Sequence, residues 1–330
     1  MDTFTAPSPS FLGSHHLVHR PLSPEAFLLT ATAPIRQDFA LSAQLPDHRA
    51  PLDDSGPGYH DLAFPLESLR RTMLFAARRY FRVPAGRLPR VVSGSAAITD
   101  LDAWRHGGGR PGIALDLGMT PLDVVDGVPR GLEAEAAVSI DGRRCGTASA
   151  RLLFPAGPPR PGRPAPGRGE GRASTAVRRG GPDAAGGHRP QRADHPGVRE
   201  PHVGPAGRAE GGGGLVFPVR TGGAAEAPGV VPPTLFVAAS RQVGRLAAAE
   251  LCGFVPSYAV LSRWEASFPD PAEPGTPLRC TVRQATAGGG RADGRVSRDA
   301  AGRPVADLRL TFLQGSRVVA RVSAAVSQDC

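Results

Sequence analysis

The sequence has no lysine: all 39 basic residues are arginine. They stand against 30 acidic residues, for a net charge of +9, which taken alone would suggest a nucleic-acid partner. The excess is unevenly placed. Residues 155–214 hold ten arginines against five acidic residues and no aromatic side chain, whereas a nucleic-acid face needs cations on a folded element with rings for stacking. We therefore read no nucleic-acid partner. Aromatics are scarce, at 5%. The four cysteines (Cys145, Cys252, Cys280, Cys330) are far apart, with no C-x-x-C pair, which argues against a disulfide framework or a zinc site and fits a reducing compartment. The nine histidines all precede residue 203 and show no metal-ligand spacing, so no metal is expected. A G-x-S-x-G elbow is absent. No apolar run approaches the length of a membrane span, and the opening MDTFTAPSPS lacks the basic and apolar regions of a signal peptide, so the expectation is a cytoplasmic protein with no membrane partner. One formal motif, Gly107-x-Gly109-x-x-Gly112, fits the dinucleotide fingerprint but precedes a strand and contains Pro111. It reads as a hairpin loop, and no cofactor is expected.

What is present is organised around Tyr59 to Pro84. Leu62, Leu66, Leu69, Met73, Ala76 and Tyr80 recur at steps of three and four and make one apolar stripe of a long helix. Pro65 suits the first turn, and Val83-Pro84 is read as the stop. A second copy runs from Thr234 to Pro256, with Arg241-Gln242 where Arg70-Arg71 stand. Each helix is followed by strand-like segments, ending in GTASARLLF (146–154) and VADLRLTFLQ (305–314). Before the first helix, Ala26–Thr30 and Gln37–Leu45 read as strands, with Phe39, Leu41, Ala43 and Leu45 alternating. The pattern is an internal repeat of one helix and several strands, about 150 residues a unit.

Several stretches in this order resemble the A-factor biosynthesis family, which makes γ-butyrolactone signals in actinomycetes. They are VHR (18–20), FLLT (27–30), Ala43-Gln44-Leu45-Pro46, His48, ESLRR (67–71), Phe-Arg-Val-Pro (81–84), GTASARLLF and SRQ (240–242). The match covers roughly 17–154 and 234–325. The resemblance implies an α+β tandem (double) hotdog fold, each unit a long central helix wrapped by a curved antiparallel sheet. It also implies transfer of a β-ketoacyl group from an acyl-carrier-protein thioester to dihydroxyacetone phosphate, with a homodimer as a further expectation. Two other readings stay open: a hotdog thioesterase or dehydratase, and a non-catalytic paralogue that binds an acyl ligand.

The units are expected at 17–154 and 215–330, after a disordered 1–16. Between them, Gly, Pro, Arg and Ala fill 46 of the 60 residues of 155–214, which cannot bury a core. The strands that should open the second unit are missing apart from Leu215–Val219. The segment is read either as an inserted linker or as a stretch, within 155–230, read in a shifted frame of a GC-rich gene.

The candidate site residues follow from the first helix and the resemblance. Glu67 stands at i,i+3 to Arg70 and i,i+4 to Arg71. One reading is an ordinary solvated ion-pair face, which we prefer for Arg71. The other is catalytic: free N–H groups at the helix N-terminus hold a thioester oxyanion, Glu67 acts as general base provided burial raises its pKa, and Arg70 and Arg241 grip a phosphate. Gln242, Arg71, His48 and His19 are candidate substrate contacts, and Asp61 is a further family-like position. In the second unit Ala238 stands where the family pattern has a glutamate, so Arg241 is expected to lack a neighbouring carboxylate.

Overall fold

The computed structural model describes residues 2–4, 15–20, 36–45, 58–107, 109, 111–155, 202–209, 214–220, 231–285 and 296–329. The strands are β1 (Asp2–Phe4), β2 (His15–Arg20), β3 (Gln37–Gln44), β4 (Arg90–Ile98), β5 (Gly112–Val125), β6 (Val128–Ile140), β7 (Arg143–Leu153), β8 (His202–Val203), β9 (Gly207–Arg208), β10 (Gly214–Arg220), β11 (Ala259–Ser267), β12 (Leu278–Gln284), β13 (Ser297–Arg298), β14 (Pro304–Gln314) and β15 (Arg317–Gln328). Two long helices interrupt them, α1 (Ala63–Arg79) and α2 (Pro233–Cys252). All paired strands are antiparallel and belong to one sheet.

The repeat is visible in the strand order. On one side the sheet runs β3-β5-β6-β7-β4 and on the other β11-β15-β14-β12-β10. In each half a first strand precedes the helix, the strand after the helix lies at the middle of the sheet, and a meander fills the space between. β4 and β11 pair at the seam, Glu265 opposite Ser95 and Ala266 opposite Gly94. The strong alternation of β3, β5, β6, β12 and β14 sends one side-chain row to the helices and the other to solvent. The buried rows of both halves join the helices in one continuous core. Each half has a buried tryptophan whose ring N–H is satisfied: Trp104 donates to the Cys145 carbonyl at 3.0 Å, and Trp264 to the Ser240 hydroxyl on α2 at 3.2 Å. At Gly146 a Cβ would come 2.8 Å from the Ala97 carbonyl, so β7 reaches β4 there only without a side chain.

Four expectations need adjustment. First, α1 ends at Arg79, not at Val83-Pro84. The chain leaves the helix through Tyr80 and turns at Arg82, which takes φ +56°, before the proline acts. Second, α2 stops at Cys252 because Gly253 adopts φ +71° and the Phe254 N–H reaches back to the Ala248 carbonyl. Third, within 155–214, β8 and β9 pair with β10, which itself pairs with β12 as β3 pairs with β5. The second half thus has a first strand and two short edge segments, and edge pairing needs backbone groups only, which Gly-rich sequence supplies. Fourth, disorder is expected over 1–16, yet Asp2–Phe4 and His15–Leu17 pair as antiparallel strands β1 and β2; the rest of that stretch, the proposed strand at Ala26–Thr30 and most of the segment considered as linker or shifted frame lie outside the described residues. Among the described residues no helix is long and apolar enough to cross a membrane.

Candidate functional site

α1 begins one turn after Tyr59. Asp61 accepts the Ala63 N–H on its side chain at 2.8 Å, and its carbonyl takes the Phe64 N–H at 3.0 Å. Pro65 has no N–H to offer. The first-turn donors of Ala63 and Phe64, expected to hold an oxyanion, are therefore already engaged by Asp61, just ahead of the N-cap residue Leu62. At α2 the lead-in is Pro232-Pro233, and Leu235 donates to the Pro232 carbonyl at 3.1 Å.

One turn into α1, Glu67 is gripped from two sides. Arg70 donates through Nε at 2.8 Å and Nη2 at 2.7 Å, and Arg71 donates through Nε at 2.5 Å. The three side chains retain 12%, 17% and 24% of their exposure, so this is a half-buried cluster of one carboxylate and two guanidiniums. Burial pushes the Glu67 carboxyl up, but the hydrogen bonds and charge of Arg70 and Arg71 outweigh it and hold the group below its ordinary value. The condition attached to its role as a base, a raised pKa, is not met in this arrangement. Next to it Ser68 is buried, and its hydroxyl has no hydrogen-bond partner among the described residues.

On α2, Arg241 is not left without a carboxylate. Its Nη1 donates to Asp61 Oδ2 at 2.9 Å, so the partner missing at Ala238 comes from the other half of the molecule. Asp61 thereby holds the first turn of α1 and α2 at once. The helices pack on each other. Gln242 is half-buried beside Arg241. Of the remaining candidates, His19 lies on β2 opposite Phe39, and His48 lies outside the described residues.

Two clusters carried no sequence signal. Asp329, buried after β15, is reached by Arg105 Nη2 at 2.7 Å, Arg303 Nε at 3.3 Å and the Tyr59 hydroxyl. Arg303 also donates to Asp102 at 2.8 Å. Both ties run from the second half to the first, to the lead-in of α1 at Tyr59 and to the short 3-10 turn Leu101–Trp104 with Arg105 after it. An open groove of about 450 Å³ lies along this seam, lined by Asp100, Asp102, Ser262, Asp299, Arg303 and Ser327 among others. The second cluster is His60, buried with its ring edge-on to His106 at 4.1 Å. Burial first, and the neighbouring His106 second, lower its pKa to about 4. A lone buried histidine and a penultimate aspartate have no periodicity to mark them.

No family model matches the chain, and no curated protein matches it. Solved structures do. The tesB protein of Mycobacterium avium subs paratuberculosis superposes with a TM-score of 0.47 at 11% identity, covering 88% of this chain and 93% of that one. A putative oleoyl thioesterase from Lactobacillus plantarum gives 0.47 at 10%, covering 88% and 96%. The 12:0-ACP thioesterase from Umbellularia californica gives 0.46 at 10%, covering 88% and 94%. At this degree of overlap the likeness says nothing about chemistry.

Proposed function

We propose that the chain is a tandem hotdog enzyme that acts on acyl thioesters, and that its acceptor is dihydroxyacetone phosphate, as the sequence resemblance implies. The observation that carries the reading is the Asp61–Arg241 pair, in which an arginine of one half meets a carboxylate of the other at the head of α1. An incoming phosphate competes with Asp61 for Arg241, which holds the carboxylate through Nη1 and can grip a phosphate bidentately. The carboxylate so released accepts the proton of the acceptor hydroxyl while that oxygen attacks the thioester carbonyl. The C–O bond forms, the C–S bond breaks, and the proton passes to the leaving thiolate. Arg70 and Arg71, with one carboxylate between two cations, suit an anionic carrier thioester such as acyl carrier protein.

A second reading is simple hydrolysis. It is favoured by the state of the arginines, because Arg70, Arg71 and Arg241 all already hold a carboxylate, and water as acceptor requires none of them to let go. The test is a product assay by mass spectrometry with a short β-ketoacyl thioester, with and without dihydroxyacetone phosphate. The transferase reading expects a phosphorylated ester only with the acceptor, and in Arg241→Ala an acceptor KM raised about tenfold or more. Free acid in both tubes selects hydrolysis. A folded protein that binds the thioester without turnover selects the non-catalytic reading.

A further inference from the structure

The approach to α1 is held by a very short piece of ladder. The His60 N–H donates to the Trp104 carbonyl at 2.9 Å, and the His106 N–H to the Gly58 carbonyl at 2.8 Å. Between these two bonds Tyr59 stands opposite Arg105 in a single antiparallel bridge. Residues paired in this way lie close together and send their side chains to the same side. Both meet Asp329, which follows β15 in the second half. The Tyr59 hydroxyl donates to Oδ2, and Arg105 donates through Nη2 at 2.7 Å and Nε at 3.1 Å.

Asp329 is itself fixed. Its side chain is 4% exposed, and its N–H donates to the Tyr258 carbonyl at 2.9 Å, next to the Ala259–Gln328 pair of the β11–β15 ladder. Arg303 reaches it at 3.3 Å and also holds Asp102, at 2.8 Å, in the turn that leads to Arg105. A carboxylate so buried needs good partners to offset its desolvation, so its hold on Tyr59 and Arg105 is not a loose surface contact. A ladder of one residue pair opens easily on its backbone bonds alone, which leaves much of the placement of 58–60 to these side chains.

Asp61 lies two residues beyond Tyr59, and its carboxylate faces Arg241 on α2 at 2.9 Å. Residues 59–61 are thus tied to the second half at both ends, by Asp329 and by Arg241. The two ties respond differently to an anion. A phosphate competes with Asp61 for Arg241 at the head of α1, whereas Asp329 is buried and keeps arginines of its own.

We propose that Asp329 is a positioning residue for Asp61. Through Tyr59 it keeps the head of α1 in register with α2, so the Asp61 carboxylate stays in place when Arg241 turns to a phosphate. The proposal rests on the transferase reading above, in which Asp61 accepts the proton of the acceptor hydroxyl. Asp329 touches no reacting atom.

The test compares Asp329→Asn and Tyr59→Phe with the wild type, each checked for folding by circular dichroism. Asp329→Asn loses the charge that holds Arg105 and Arg303, while Tyr59→Phe removes only the hydroxyl tie and is the milder change should the first variant misfold. One readout is the coupling between Asp61→Ala and Arg241→Ala, from double-mutant cycles in urea. It should fall by half or more in Asp329→Asn and by less in Tyr59→Phe. This needs no substrate, and a coupling of wild-type size in either folded variant overturns the proposal. The other readout is ester formation from a short β-ketoacyl thioester at varied dihydroxyacetone phosphate. Asp329→Asn should lower kcat about tenfold while the acceptor KM changes by less than about threefold. Arg241→Ala should do the reverse and raise KM. A merely structural role would lower the melting temperature and leave kcat per folded molecule intact, and that result also overturns the proposal. If the wild type makes no ester, the transferase reading fails, and the coupling alone decides whether Asp329 places Asp61.

Discussion

The two helices carry the same arginine and treat it differently. In α1, Arg70 finds its carboxylate three residues back on its own helix, at Glu67, and Arg71 shares it. In α2, Ala238 stands at that place, and Arg241 reaches 180 residues back along the chain to Asp61. The first arrangement stiffens one helix face and says nothing about the rest of the molecule. The second fixes where one half sits against the other, because Asp61 also holds the first turn of α1. What is an intrahelical contact in α1 is, at the matching place of α2, a link between the repeats. A repeat can therefore diverge at one residue without leaving a charge stranded, provided its twin supplies the missing group.

The sharpest way to break the comparison is at α1. Glu67→Ala leaves two half-buried guanidiniums side by side with their shared carboxylate gone. We expect a loss of about 2–3 kcal/mol in urea unfolding, toward the lower end for a broken buried pair because the cluster keeps some solvent. A loss under about 0.5 kcal/mol would make the cluster an ordinary surface ion pair. Since Glu67 is held below its ordinary pKa, its contribution is present above the unfolded value and is lost as the pH falls through the folded one. The wild type and Glu67→Ala should thus converge in acid.

Next in size is the link between halves. A double-mutant cycle on Asp61→Ala and Arg241→Ala should give a coupling of about 1–2 kcal/mol. Asp61→Asn separates its two duties. It keeps an oxygen for the Ala63 N–H but loses the charge that holds Arg241, so most of the coupling should vanish while the Ala63 contact survives. A full-sized coupling in Asp61→Asn would show that this contact, not the ion pair, joins the halves.

These contrasts mark how far the sequence could be read. Both helices and most of their following strands were legible, because a stripe at steps of three and four and alternation at steps of two are local patterns set by burial. The helix stops were misplaced by several residues, since Arg82 and Gly253 turn the chain before either proline does. The strands β8 and β9 were illegible because two-residue edge pairings need no side-chain pattern. Glu67, Arg70 and Arg71 could be grouped from spacing alone. The partner of Arg241 could not, because a contact 180 residues apart leaves no periodic trace. The same holds for Asp329, which acquires Arg105, Arg303 and Tyr59 only when the sheet closes.

The lead-ins to the helices offer a third contrast, dependent on pH. His60 and Val231 hold equivalent places, both buried, each sending its backbone N–H at 2.9 Å to a carbonyl of a later segment, that of Trp104 or that of Ala272. One can titrate and the other cannot. Because the folded pKa of His60 is lowered to about 4, the fold favours the neutral ring. Its contribution is fully present above the unfolded value near 6.5 and declines as the pH falls from there toward 4. The full shift is worth about 3 kcal/mol, and with the ring partly screened by solvent we expect about 1–3 kcal/mol to be lost over that window, measured as urea midpoints at a series of pH values. His60→Val, which makes the first lead-in resemble the second, should flatten this part of the profile. An unchanged slope would assign the acid sensitivity to other groups.

The smallest effect tests the cause of the whole comparison. Ala238→Glu returns a carboxylate to α2 at i,i+3 from Arg241 and i,i+4 from Gln242. The gain in stability should be slight, about 0.3–0.5 kcal/mol, as for other intrahelical pairs. The informative quantity is the Asp61–Arg241 coupling measured again in this background. If Arg241 reaches across to Asp61 because its own helix offers nothing, a local glutamate should take it over, and the coupling should drop by half or more. If the coupling stays whole, then the packing of α1 on α2 already presents Asp61 to Arg241 and the residue at 238 is incidental. In that case the link between the halves would be a property of the paired helices and not a repair of a lost glutamate.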